Sequence, residues 1–343
     1  MKKTMIALAA FGAMASAAHA QSSVTLYGVV DMYVGEGTSK TTVGGVTTRT
    51  KPGTGLSSGG LSGSRWGLRG AEDLGGGLKA TFQLEAGINA DDGTVGAGFN
   101  RTSKMGLSGG FGSIEFGRQY TPMFLLMDSF DAQATSSFSA TNAVGGPSGA
   151  AAGLMGVTTR WDNSVLYTSP NMGGFSVGAQ YAFGENATPA ASAGRSLALT
   201  ASFATGPVAV QGVYQTEKAN GAAATAKSTG LGVSYDFSVV KVLGQFINQN
   251  DGVANGQREN AYVLSVAVPL GAAGSLAAGY GNERIKVAGA KVASTDSFGV
   301  EYIYSLSKRT NVYAGLTNVK LKNAAGTAST QDQLYGIGMR HKF

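Results

Sequence analysis

Near the end of the chain Tyr335, Ile337, Met339, His341 and Phe343 occupy every second position, while Asp332, Gly336, Gly338, Arg340 and Lys342 fill alternate places. A two-residue period with one oily and one wet side is the pattern of a β-strand lying between apolar and aqueous surroundings. The same grammar opens the chain: Val24, Leu26, Gly28, Val30, Met32 and Val34 face one way, and Thr25, Tyr27, Asp31 and Tyr33 the other. A Gly/Ser/Thr stretch to Gly63 then reads as a long connection. Alternation resumes with Trp66 and Leu68 against Arg65 and Arg69. After the turn at Glu72–Gly77, the row Leu78, Ala80, Phe82, Leu84, Ala86 and Ile88 opposes Lys79, Thr81, Gln83, Glu85 and Asn89. Further oily rows run through Phe175–Phe183, Leu231–Phe237, Tyr262–Val268 and Phe298–Tyr304. Short turns are expected at 109–112, 170–174, 205–207, 270–274 and 307–310, alternating with longer polar connections. The segments count to about sixteen strands, with short turns at one end and long loops at the other, as in a transmembrane antiparallel β-barrel.

Composition supports a membrane barrel over a soluble sandwich or propeller. Charged residues are only 13% of the chain, low for a water-facing surface, while 43% of residues are hydrophobic. No blade-length repeat is present. Lys2 and Lys3, an apolar run from Met5 to Ala15 and the small-x-small Ala18-His19-Ala20 read as a secretory signal over residues 1–20, cut before Gln21. Residues 21–343 then form one barrel domain. Beyond Ala20 no apolar run approaches the ~20 residues of a helical span, so strands must do the crossing. Localisation in the outer membrane, after export through the periplasm, follows. The tyrosines and phenylalanines are expected to form interface girdles.

Chemistry finds little to work with. Cys is absent, and once His19 leaves with the signal His341 is the only histidine, on the oily face of the last strand. A Ser-His-Asp triad, a Cys-His pair or a histidine-rich metal site would each have to be built around it, so neither catalysis nor a metal or other cofactor is expected. Gly75-Gly76-Gly77-Leu78-Lys79 lacks the ending and following helix of a phosphate loop and reads as a hairpin turn. The formal charge is +6, leaving +4 without Lys2 and Lys3. Its dispersal argues against nucleic-acid binding. By strand parity Asp31, Lys79, Glu85 and Glu115 are candidates to face the barrel lumen. The segment between Arg118 and Arg160 lacks sustained alternation over many more residues than the ~12–15 of an ordinary loop, which marks it as functional.

Ser23-Val24-Thr25-Leu26-Tyr27-Gly28, SRWGLRGAEDLGGGLKATFQLE at 64–85, GLSGGFGSIEFGRQY at 106–120, NSVLYTSP at 163–170 and the closing Arg340-His341-Lys342-Phe343 resemble the general porins of Gram-negative bacteria, of the type common in beta-proteobacteria. The resemblance implies a sixteen-stranded barrel, three to a trimer, each with a water-filled pore narrowed by an inward-folded third loop. It places that loop between Arg118 and Arg160, with Asp128 and Asp131 as its carboxylates. The wall arginines facing them at the constriction match Arg65, Arg101 and Arg160. Parity supports Arg65, and sets Arg160 on one face with Asp162 and Ser164. Arg101 has the parity of Met105 and Leu107, so it can face the lumen only through a bulge or if regular pairing starts after it. The alternative for each arginine is an interfacial residue anchoring lipopolysaccharide.

The expected function is passive, weakly anion-preferring diffusion of small hydrophilic solutes and ions. The alternatives are an outer-membrane barrel enzyme, such as a lipase or protease, and a surface adhesin or antigen anchored by its barrel. Expected partners are two further copies of the chain, outer-membrane lipids and lipopolysaccharide, and the barrel-assembly machinery, which would read Phe343.

Overall fold

The computed structural model describes residues 23–143, 157–184, 195–218 and 224–343; the expected signal segment lies outside them. The strands are β1 (Ser23–Val43), β2 (Val46–Ser58), β3 (Arg65–Gly75), β4 (Leu78–Asn89), β5 (Thr94–Val95), β6 (Thr102–Gly109), β7 (Gly112–Tyr120), β8 (Arg160–Thr168) and β9 (Phe175–Ala182). They continue with β10 (Ser196–Thr205), β11 (Val208–Glu217), β12 (Ala226–Asp236), β13 (Lys241–Asn250), β14 (Gln257–Leu270), β15 (Gly274–Val287), β16 (Ala290–Ser305), β17 (Thr310–Asn323) and β18 (Ala328–Lys342). Every neighbouring pair is antiparallel, and β1 pairs with β18 from Val29↔Lys342 to Val43↔Ala328, closing the sheet without a free edge.

The 18 segments make sixteen staves. β2 and β3 both pair with β1, through Met32–Val43 and Ser23–Val29 respectively, and are two parts of one interrupted strand. β5 and β6 likewise share β4 as neighbour. The expected Gly/Ser/Thr connection to Gly63 is therefore mostly ladder. β1 runs on to Val43, turns at Gly44 and Gly45, and returns as β2. Its threonines favour extended backbone, but with water on both sides they leave no oily row to read.

Facing follows parity. Val24, Leu26, Val30 and Val34 are exposed on the outside, while Asp31 and Tyr33 are buried on the inside. Val177, Tyr235, Leu231, Leu264 and Tyr280 also project outward, whereas Gln180 and Ser265 are buried inside. Among the described residues no helix is long and apolar enough to span a membrane.

Candidate functional site: a basic channel beside an inward loop

The interior begins where β7 ends. Thr121 caps a short helix, α1 (Pro122–Ser129), accepting a hydrogen bond from Phe124 N at 3.2 Å, with Pro122 in the first turn. The spacing of Met123, Leu126 and Met127 puts all three on one face, and they are fully buried with Phe130 against Val213 of β11 and Ile247 of β13. The chain then crosses the lumen. Ser265 Oγ accepts from Ala132 N, Ser136 Oγ donates to Glu301, and Gln245 donates to Thr141. Ser297 donates to Ala140 O in a second helical turn, α2 (Ala140–Ala143). Phe138 is fully buried between Tyr33 of β1 and Tyr313 of β17, with ring centroids 5.5 and 6.2 Å away.

This docking depends on wall residues without side chains. A Cβ at Gly299 would run into the Phe138 carbonyl oxygen, and one at Gly315 into the Phe138 ring. Gly232 is seated in the same way against the Phe130 ring. Burial of each large apolar side chain contributes about 1.5–3 kcal/mol, while fixing each loop residue costs about 1–2 kcal/mol, which explains why the loop needs anchors along its length.

The loop covers the β11–β17 side and leaves open the wall built by β1, β3, β4, β6, β7, β8 and β18. Between them lies a cavity of about 1030 Å³. Its charged lining is Arg65, Arg69, Arg101, Lys104, Arg160, Arg340 and Lys342, opposed by Glu85, Glu115 and Asp128. Two of the acids are engaged. Glu85 accepts from Arg101 Nε at 2.8 Å and lies 3.8 Å from Arg65, and Glu115 pairs with Lys104 at 2.7 Å. Arg69 lies over the Tyr27 ring at 5.0 Å, and Tyr27 donates to Glu85. Arg101 also donates to the Tyr120 hydroxyl, and Arg160 lies over the Tyr120 ring at 4.1 Å. One polar chain thus runs from Arg69 to Arg160 along the wall.

The expected residues fall into separate groups. Arg65, Arg101, Arg160, Asp128, Glu85 and Glu115 line the cavity together. Arg101 does so because β6 begins one residue later, so strand parity never applies to it. Asp131 does not. It is buried, accepting from Gln133 N, Thr135 N and Ser139 Oγ, and it shapes the loop instead of facing the pore. Asp31 is likewise spent on structure: it accepts from Gly60, Leu61 and Ser62 backbone N–H groups and the Tyr313 hydroxyl. Lys79 is exposed at the turn end of β4.

The shared face expected for Arg160, Asp162 and Ser164 is broken by a bulge. Asn163 takes a φ of 50° opposite a register shift at Gly117 and Gln119. Ser164 is buried beneath Gln119 and Gln180, whereas Asp162 pairs with Arg118 at the exposed rim. Parity already sets Lys342 on the lumen side, where it lines the cavity; Arg69 and Arg340 share that parity and line the cavity too, but sequence reasoning did not single them out. Tyr27 and Tyr33, on the polar side of β1 by parity, serve the interior and not a girdle, as do Tyr120 and Tyr313, which sequence reasoning did not single out.

The Phe343 ring packs against Gly28, with backbone hydrogen bonds in both directions between the two residues. It closes the seam between the first and last strands.

Comparison with known proteins agrees with this architecture. An outer membrane porin protein 32 of Delftia acidovorans is 36% identical over 99% of this chain and 95% of its own length. An outer membrane porin protein of Bordetella pertussis is 33% identical over 100% of both. The solved anion-selective porin from Comamonas acidovorans superposes with a TM-score of 0.76 at 30% identity, covering 94% of this chain and 100% of that one. The profile described as Gram-negative porin matches residues 7–324, and the chain belongs to that family: it is an outer-membrane channel and not an enzyme.

Proposed function

We propose that the channel passes small hydrophilic solutes and ions without energy input, prefers anions weakly, and works as a homotrimer with one pore per subunit. In this reading Arg65, Arg101 and Arg160 form the charged side of the constriction, faced by Asp128 across the cavity. The carrying observation is the charge imbalance of the lining, with Glu85 and Glu115 already paired and Asp128 the remaining acid. Charges act most strongly where bulk water is excluded, so the narrow lining outweighs charges on the solvated loops. The trimer is supported by the porin character of the relatives and the structural neighbour. Removal of residues 1–20, contact with lipopolysaccharide and recognition of Phe343 by the barrel-assembly machinery complete the proposal.

The test is reversal potential across a planar bilayer in a KCl gradient, together with swelling of liposomes in graded sugars. Modest anion preference and size-limited swelling are expected. A strongly potassium-selective channel, or vesicles that do not swell, would refute it.

A further inference from the structure

Two of the exposed large apolar side chains among the described residues line the cavity, Leu125 at 39% exposure and the terminal Phe343. Phe343 is explained by its seam with Gly28, but packing does not explain Leu125. Its direction follows from the helix. Met123, Leu126 and Met127 take the wall side of α1, so Phe124, Leu125 and Asp128 take the cavity side. A large apolar side chain facing water is stabilised by anything apolar that covers it, and inorganic ions cannot do so.

The apolar surface continues from Leu125 towards the arginines. Phe124, half-buried, stacks on Tyr120 with ring centroids 4.9 Å apart and planes inclined by 10°. Tyr120 carries the Arg160 guanidinium 4.1 Å from its ring centre and accepts from Arg101 at 2.8 Å. Leu125, Phe124 and Tyr120 thus form a shelf that ends at two guanidinium groups. Arg101 is paired with Glu85, whereas Arg160 makes no ion pair with any described residue.

We infer that this shelf is a binding site for aromatic carboxylates in transit, with the carboxylate on Arg160 and the ring over Leu125 and Phe124. The inference rests on the reading that the arginines line the ion path. A guanidinium without an ion-pair partner suits a carboxylate, which it meets through two parallel N–H···O hydrogen bonds. The aromatic ring displaces the water held against Leu125 and meets the face or edge of Phe124, a gain that chloride or acetate cannot make. Asp128 fixes the orientation. It stands one helical turn beyond Leu125, about 5 Å along the axis, and accepts from Thr135 Oγ1 at 2.8 Å, so the ring lies between the solute's carboxylate and this acid. One ion contact and one ring contact hold the solute loosely enough to let it leave on the far side.

The test is block of chloride current through the intact channel in a planar bilayer, with graded benzoate, acetate or benzyl alcohol added to one side. In the wild type benzoate should half-block at a concentration about three- to ten-fold below that of acetate, the range set by one ring contact. Benzyl alcohol, which has the ring without the charge, should block less than benzoate. Leu125→Gln, at an exposed helical position, should bring the benzoate-to-acetate ratio towards one, and Leu125→Met should keep it. Effects common to both anions cancel in that ratio. Equal block by benzoate and acetate in the wild type, an unchanged ratio in Leu125→Gln, an equal loss in Leu125→Met, or block by benzyl alcohol as strong as that by benzoate would overturn the assignment. Reversal potential of the same channels in plain KCl reads the anion preference separately, so failure of the shelf and failure of the arginine reading are told apart.

Discussion

Arg160 lies over the Tyr120 ring, 4.1 Å from its centre, and the hydroxyl of that ring accepts a hydrogen bond from Arg101, so one tyrosine positions two guanidinium groups. The geometry makes the wall cations a coupled set: stacking holds one arginine and a hydrogen bond holds the next.

Reversing charge in this set should change which ions pass. Arg65→Glu with Arg160→Glu is expected to move the reversal potential in a KCl gradient towards cations, while conductance stays within a few-fold of wild type. An unchanged reversal potential would show that ions do not pass close to these side chains. Tyr120→Leu, which removes the ring and hydroxyl without altering charge, should give a smaller shift in the same direction.

The inward loop should loosen when its seats are filled. Gly299→Val places side-chain atoms where the Phe138 carbonyl now sits, and Phe138→Ala empties the pocket between Tyr33 and Tyr313. A core Phe→Ala change costs about 3–5 kcal/mol where the site cannot collapse. Here that cost falls on loop docking, so both variants should show noisier open-channel current with the barrel still folded. Quiet, wild-type-like recordings from both would mean the loop is held by other contacts.

Register can be checked by placing charge on either face. Leu231→Arg, on the outer side of β12, should cost about 2–4 kcal/mol in folding into lipid vesicles if it lies near the bilayer midplane. Ser228→Arg, on the lumen face of the same strand, should cost far less. Equal costs would mean the strand faces are misassigned.

The barrel was legible because oily and polar positions alternate wherever one face meets lipid. Strands and turns through most of the chain could be read from that alone. Where neither face meets lipid the signal vanishes, so the Thr-rich ladder from Thr38 to Ser58 looked like loop. Arg101 resisted parity because it lies just before its strand, and Asp162 escaped it through the left-handed backbone of Asn163. Asp131 departs from its expected place for a different reason, and Asp31, inside the barrel as its parity gives, is occupied in the same way. A carboxylate facing a pore and one capping a tight loop have the same sequence signature, and only the backbone N–H groups around them tell the two apart.

Deleting Phe343 should leave Gly28 without its aromatic cover and should reduce the amount of heat-modifiable protein in the outer membrane well below that of Lys342→Arg. Western blots of outer-membrane fractions measure this, and normal levels of the deletion protein would rule out a role for Phe343 in assembly.

The loop rests on one arc of the wall and the guanidinium groups stand on the other, so the open path runs off-centre. In the proposed reading a permeating ion is led along the charged arc instead of down the axis and meets the same few side chains on every passage. The remaining staves, hidden behind the loop or turned to lipid, can then drift in sequence without changing what crosses the membrane, provided the glycine seats stay empty. Permeability and barrel construction are thereby left to vary independently.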